Sequence, residues 1–222
     1  GMPYFDPFYV PGNRLHIYGP DRPDIPLREL LADWMSSPFH PAPLHSLQAS
    51  LEFVSMRDGG SIELDGLTIR AAAVNHTTLC NAYRIESDGT AIGYVTDTGR
   101  FSGSLLLPQD LRKAVANGTD AEGDVLSRMR EQLIDLMRGC RLLIYDTMFD
   151  AAELAERPSW GHSSAEEALD ICRAAEIGHL SMFHHSPDCS DVELDARLAQ
   201  ARAMADGLQV SSAREGETLY LR

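Results

Sequence analysis

The chain has 222 residues, 44% of them apolar, and this composition fits one large globular domain or two small ones. Its 19 basic and 33 acidic residues give a formal net charge of −14 at pH 7. This charge repels phosphate backbones at long range and leaves no extended basic surface, so nucleic acid is disfavoured as a partner. Divalent metal ions in a cleft would still allow an acidic protein to accept an anionic substrate.

The cysteines and the hydropathy of the chain bear on its cellular location. The four cysteines show no CxxC spacing and are scattered along the chain, which is typical of reduced thiols. No run of about 18 apolar residues is present to cross a membrane, and no signal-peptide pattern opens the chain. We therefore expect a soluble cytoplasmic protein that has no membrane partner.

The first predicted elements form a short β/α segment. Residues 3–13 hold four aromatic residues and three prolines, which indicates either the interior of a longer fold or an aromatic arm docked on its own domain. Residues 14–19 alternate as a strand does. A helix follows, with Asp24 as its predicted cap and one apolar face.

The rest of the chain changes from strands to alternating helices and strands. Residues 51–96 contain short apolar runs separated by tight turns, which predicts a meander. Helices are then predicted over 123–140, 162–178 and 190–207, the last two with capping boxes Ser163/Glu166 and Ser190/Glu193. Strands follow each helix, and the last two are LQVSS and TLYLR. We predict a layered α/β architecture in a single domain, residues 1–222.

Three strand ends carry the strongest chemical signals. His76 in AVNHTT, Asp97 in YVTDTG and the pair His184/His185 in SMFHHSPD each follow a buried apolar run. Strand ends are where catalytic and metal-binding side chains collect. The alternatives are a structural histidine for His76 and a turn-forming aspartate for Asp97.

Two further residues are candidates near the same edge. His162 lies in the loop before a predicted helix, where it could protonate a leaving group or steady an oxyanion; an exposed loop histidine is the alternative. Asp146 ends the strand LLIYD and is either a strand-end carboxylate or the N-cap of the next helix.

Other chemistries lack their motifs. The sequence contains no GxxxxGK[ST], no GxSxG and no strand-linked GxGxxG. This excludes the usual phosphate-loop, serine-esterase and dinucleotide-binding interpretations.

Taken in order, the segments resemble the C-terminal two-thirds of the metallo-β-lactamase fold hydrolases, in the ribonuclease Z and phosphodiesterase branch. The segments are AVNHTT, NAYRIE, YVTDTG, LLIYDTMF, GHSSAEEA and MFHHSPD. The resemblance implies an αββα sandwich in which His76 binds one metal ion, Asp97 bridges two and His184 binds the second. It also implies catalytic roles for Asp97 and His162. PFYVPGNRLHIYGP resembles the stretch just after the family's HxHxDH loop.

The HxHxDH signature itself is absent, because no two of the eight histidines are separated by a single residue. The resemblance then leaves two ligands for each metal, whereas zinc usually has three or four protein ligands. We expect a divalent metal, zinc or alternatively manganese, that is weakly bound or missing. An N-terminally truncated fold would expose an edge or an apolar face, so we also expect a homodimer.

Three functional hypotheses follow. The first is a metal-dependent hydrolase of a small phosphodiester or related ester, of which this chain is a truncated form. The second is an inactive short form that acts as a binding or oligomeric scaffold module. The third is that His40, His45 or Cys189 replaces the missing ligands.

Overall fold

The protein is represented by a computed structural model that describes residues 4–37, 40–116 and 121–221. The chain divides into two compact units, residues 1–57 and 58–222. Each unit has its own β-sheet, of two and seven strands respectively, among the described residues. The single domain over residues 1–222 stays a prediction.

The smaller unit is a β/α segment with a docked aromatic arm. Strand β1 (Arg14–Pro20) pairs in parallel with β2 (Ser50–Met56), and helix α1 (Leu27–Trp34) lies between them in the chain. Phe8 is buried, and its carbonyl accepts hydrogen bonds from the N–H groups of residues 48 and 49. Phe8 is therefore packed within its own unit, as expected for a docked aromatic arm.

Two sequence predictions fail in this unit. Helix α1 begins after Pro26 and has no side-chain cap. Asp24 instead accepts hydrogen bonds from Arg22, because the guanidinium offers a charged donor close by. Strand β2 does not enter the predicted meander, because its partner is β1.

The larger unit contains a seven-stranded mixed sheet with the order β3-β4-β5-β6-β7-β8-β9. The first four strands form the antiparallel meander, and β6 to β9 run parallel to one another. The strands are β3 (Ser61–Leu64), β4 (Leu67–Val74), β5 (Cys80–Ser87), β6 (Thr90–Val95), β7 (Leu142–Asp146), β8 (His179–Phe183) and β9 (Gln209–Ser212). The helices are α2 (Glu122–Met137), α3 (Ala151–Glu156), α4 (Ala165–Ala174) and α5 (Asp191–Ala203).

Amphipathic helices supply much of the core of this unit. The stripe at Val125, Met129, Leu133 and Met137 is buried, as the fourfold spacing predicts. These side chains join one apolar cluster with residues of the central strands, such as Leu143. The layered α/β prediction is confirmed for this unit.

One of the two predicted capping boxes is present in the structure. Ser190 and Glu193 form the predicted capping box of α5. The predicted box of Ser163 and Glu166 is wrong, because α4 has Ser164 as its N-cap and no side-chain bond there.

The predicted last strand is also wrong. Residues 218–221 form no strand, and Arg222 lies outside the described residues.

Strand direction explains why distant residues meet. The carboxyl ends of β6, β7 and β8 lie at the same edge of the sheet, since these strands are parallel. Strand β4 is antiparallel to β5, which is antiparallel to β6, so β4 also ends at this edge. Asp146 ends β7 at this carboxyl edge, and the loops that begin there carry His76, Asp97 and His184.

The close packing of α2 on the sheet leaves no room for a side chain at Gly93. A Cβ there would collide with the sulfur of Met137 and lie 2.7 Å from Leu143 Cδ1. We expect Gly93→Val to lower the free energy of unfolding by about 1–3 kcal/mol, measured by urea denaturation, because the interior is overpacked. Gly123→Ala is the matched control, since no atom lies within 4 Å of its added Cβ. It should be neutral or stabilising by about 0.5–1 kcal/mol; equal losses in both variants would contradict this account.

Candidate metal centre

The carboxyl edge of the large sheet gathers metal-ligating side chains. One ligand atom from each of Asp97, His162 and His184 lies within 4.8 Å of the others. All three side chains are partly exposed, so a ligand can reach them from solvent. Carboxylate and imidazole together form a donor set that suits zinc and other first-row divalent metals.

Asp146 lies beneath this group and organises it. Its side chain is 0% exposed, and its carboxylate accepts a hydrogen bond from His162 Nδ1 at 2.9 Å. It also accepts from the backbone N–H groups of Thr98 at 3.2 Å and Met148 at 3.1 Å. Burial acts to raise the pKa of the Asp146 carboxyl, but the hydrogen bonds from His162 and His184 hold it below its usual value. Asp146 is therefore an ionised carboxylate in a buried position.

The N-cap interpretation of Asp146 is wrong. Helix α3 begins after Asp150, whose side chain accepts from the N–H groups of Ala152 and Glu153 in a capping box. The strand-end interpretation is the one that the structure supports. Its sequence signal was a carboxylate directly after a buried apolar run.

Three histidines at this edge share one hydrogen-bonding pattern. His76 donates from Nδ1 to the Gly161 carbonyl at 2.8 Å, His162 donates from Nδ1 to Asp146, and His184 donates from Nδ1 to the Thr96 carbonyl. With the proton on Nδ1, each Nε2 keeps a free lone pair. Metal-ligating histidines typically have their other ring nitrogen fixed in this way.

His184 is held by backbone conformation and by charge. Its φ is +59°, a left-handed conformation that is uncommon outside glycine. Its ring meets the ring of His162 edge to face, with centroids 4.7 Å apart. The Asp146 carboxylate, 3.7 Å from His184 Nδ1, raises its pKa to about 9; the Thr96 carbonyl and Asp97 act in the same direction, and burial opposes them. Without a metal, this position is occupied by an imidazolium at neutral pH.

Gly161 fits His76 against the neighbouring loop. Its φ is +82°, and an added Cβ would lie 2.8 Å from Cε1 of the His76 ring. Only glycine fits this contact and this φ without strain. The His76 ring centroid is 5.7 Å from that of His162, and His76 lies outside the three-residue group. Local sequence patterns do not indicate this role of Gly161, because the clash is with a residue 85 positions away.

The other sequence candidates lie elsewhere. His185 Nε2 accepts from the Ser212 hydroxyl at 3.0 Å, and burial lowers the pKa of this histidine. Among residues 4–37, 40–116 and 121–221, the three-ligand group includes none of the proposed replacements, which are His40, His45 and Cys189. Burial raises the pKa of Cys80 to about 12, and Asp97 adds to the effect, so this thiol stays protonated at neutral pH.

Comparison with known proteins gives relatives of one kind. No family model matches the chain. Ribonuclease BN from Cronobacter sakazakii is 25% identical over 217 residues, which is 86% of this chain and 66% of that protein. Ribonuclease Z from Thermoplasma acidophilum is 34% identical over 74 residues, which is 32% of this chain and 24% of that protein.

Solved structures share the fold. The metallo-β-lactamase fold protein YhfI from Bacillus subtilis aligns with a TM-score of 0.60 at 20% identity, covering 92% of this chain and 63% of that one. The short form of human tRNase Z aligns with a TM-score of 0.57 at 14% identity, covering 95% and 68%. The chain has the metallo-β-lactamase fold, and its sequence is similar to those of ribonucleases Z and BN. The predicted metallo-β-lactamase-like α/β fold is confirmed.

The chain matches only part of the length of these relatives. The chain spans 66% of the Cronobacter relative and 65% of ribonuclease Z from Metallosphaera sedula, which is 26% identical over 208 residues. In the described parts of the chain, every helix is too short or too polar to cross a bilayer.

The raised pKa of His184 gives a test of the apo site. The pKa shifts from the ordinary 6.5 to about 9 in the folded, metal-free protein. The stabilisation is complete below pH 6.5 and is lost as the pH rises through about 9. The stability advantage of the wild type over His184→Gln should therefore shrink between about pH 6 and about pH 10.

The measurement is urea denaturation of both proteins in the presence of a chelator. Comparing the two proteins removes the contributions of other titrating groups. A constant or growing difference across this pH range would contradict the His184–Asp146 interaction.

Proposed function

We propose that this protein is a metal-dependent hydrolase of phosphodiester or related ester bonds. The observation that carries the proposal is the group of Asp97, His162 and His184, in which both histidines have Nδ1 bonded to protein acceptors, as His76 beside the group also does. The donor set suits a divalent metal, and the metallo-β-lactamase fold supports the same conclusion. We propose zinc, with manganese as the alternative.

Three residues are proposed as metal ligands. Asp97 and His184 lie in one group of ligand atoms, with Asp97 Oδ1 3.6 Å from His184 Nδ1. His76 borders the group through its contact with the His162 ring. When bound, a divalent metal activates water and neutralises charge that develops on the phosphate oxygens. The absence of HxHxDH from this chain predicts that binding is weak.

His162 is proposed as the proton donor to the leaving oxygen. Its Nδ1 donates to the ionised Asp146 carboxylate, which orients the ring. Its Nε2 is then available for a reacting oxygen, in the manner of other carboxylate–histidine pairs. Asp146 is a positioning residue, and Asp97 contributes both to metal binding and to catalysis.

Two classes of substrate are in question. A small phosphodiester or other ester is favoured by the net charge of −14, which repels a long polyanion. RNA is the second candidate, since the relatives are named ribonuclease Z and ribonuclease BN. Those names weaken the expectation that nucleic acid is an unlikely partner. The homodimer and the cytoplasmic location stay predictions.

Measurements of metal binding and of turnover distinguish the proposed metal ligands from the proposed proton donor. We expect Asp97→Asn and His184→Ala to weaken zinc or manganese binding at least about tenfold, measured by equilibrium dialysis, because a ligand is removed. His162→Ala should retain the metal and lower kcat for bis(p-nitrophenyl) phosphate about 10²- to 10⁴-fold, because the proton donor is lost.

Asp170→Asn is the control for these variants, because this carboxylate is exposed on α4 and pairs with Arg173. It should match the wild type in both assays. Loss of metal in His162→Ala would make this histidine a ligand instead of the acid. A wild-type protein without metal and without turnover would favour the scaffold alternative.

A further inference from the structure

An exposed tryptophan borders the candidate metal centre. Trp160 is 56% exposed, although indole is among the side chains most costly to leave in water. It directly precedes Gly161, whose carbonyl accepts from His76, and it lies two residues before His162. The indole therefore stands at the rim of the proposed catalytic group.

The position of the indole is fixed by packing. Phe149 is buried, and its ring meets the Trp160 ring edge to face at 5.9 Å. The same Phe149 ring meets His162 edge to face at 5.8 Å. The backbone N–H of Trp160 also donates to the Arg157 carbonyl at 3.2 Å. An aromatic surface held in this way loses little conformational entropy when a ligand stacks on it.

A cation accompanies the aromatic surface. The Arg157 guanidinium lies 5.5 Å from the ring centroids of both Phe149 and Trp160. Its side chain is 34% exposed, and the carboxylate of Glu156, 3.7 Å away, offsets only part of its charge in solvent. Arginine can stack on rings and bind phosphate oxygens at the same time.

We propose that Trp160 and Arg157 form a subsite for the nucleobase of a nucleotide phosphodiester. The base stacks on the exposed part of the indole, and Arg157 meets the charge of the attached phosphate. An indole alone would accept any apolar group, but the guanidinium and the neighbouring ligand group together favour an aromatic ring linked to an anion. The inference rests on the proposed function, since it names the substrate class of the same site.

Fluorescence tests the subsite without catalysis. The chain has two tryptophans, Trp34 and Trp160, so Trp34→Phe leaves the proposed platform as the single reporter. Titration with AMP in the presence of a chelator should quench this fluorescence saturably, whereas ribose 5-phosphate should not. Equal responses to both ligands, or none to AMP, would overturn the proposal.

Substrate preference tests the subsite in the active protein. The matched substrates are thymidine 5′-(p-nitrophenyl phosphate) and methyl p-nitrophenyl phosphate, which differ in the nucleoside. Trp160→Ala should lower the ratio of their kcat/KM values about 5- to 100-fold, because base stacking contributes about 1–3 kcal/mol. Trp160→Phe should restore part of the ratio.

Tyr220→Ala is the matched control. Tyr220 is 84% exposed and lines a cavity with Gly139, Gly178 and Gln209, at the opposite edge of the sheet. This variant should keep the wild-type ratio. Turnover with an unchanged ratio in Trp160→Ala would overturn the subsite alone. Absence of turnover on both substrates would count against the proposed hydrolase, and the AMP titration would still decide the subsite.

An oligoribonucleotide with an unpaired 3′ end distinguishes the source of the base. Tighter Trp160-dependent quenching than with AMP would place the base in RNA. Equal or weaker quenching would place it in a small nucleotide. The affinity of a labelled oligoribonucleotide, measured by fluorescence anisotropy, should fall in Trp160→Ala. An unchanged affinity in this variant would overturn the assignment of the base to this residue.

Discussion

The carboxyl edge of the large sheet depends on the buried carboxylate of Asp146. An ionised group with no exposure is stable only when its oxygens are fully partnered, and here the partners come from several segments. The N–H of Thr98 belongs to the loop after β6, Met148 follows β7, and His162 precedes α4. One charge therefore draws these segments together and orients the imidazole that we propose as the acid.

Two backbone conformations complete the arrangement. His184 adopts a left-handed φ at the end of β8, and Gly161 adopts one between Trp160 and His162. A strained residue persists only where its surroundings determine it, and such residues concentrate at functional sites. For His184 the surroundings are the Thr96 carbonyl and the two carboxylates. For Gly161 the reason is steric, since the His76 ring occupies the space of a side chain.

Sequence patterns predicted the parts of the fold that depend on residues close together in the chain. The α2 stripe, the Ser190/Glu193 cap and the β3 to β6 meander all follow from spacing, propensity and turn chemistry. The parallel pairing of β1 with β2 was missed, because strand partners are chosen by long-range contacts that no local pattern records.

The site was predicted only in part for a similar reason. Strand ends marked His76, Asp97 and His184, and the position in a loop before a predicted helix marked His162. The choice between two roles for Asp146 needed tertiary contacts, since both roles follow the same apolar strand. The roles of Gly161 and Trp160 also depend on neighbours that lie far away in the sequence or across the fold.

The hydrogen bond from His76 to Gly161 joins two loops, one between β4 and β5 and one between α3 and α4. Trp160 and His162 flank the residue that accepts this bond, so the acid and the aromatic platform share one short piece of backbone, and the proposed metal ligand His76 is bonded to it. A ligand that shifts this piece of backbone at one of these positions therefore shifts it at the others. Such coupling is reciprocal: metal binding and base binding would each change the affinity for the other by the same factor.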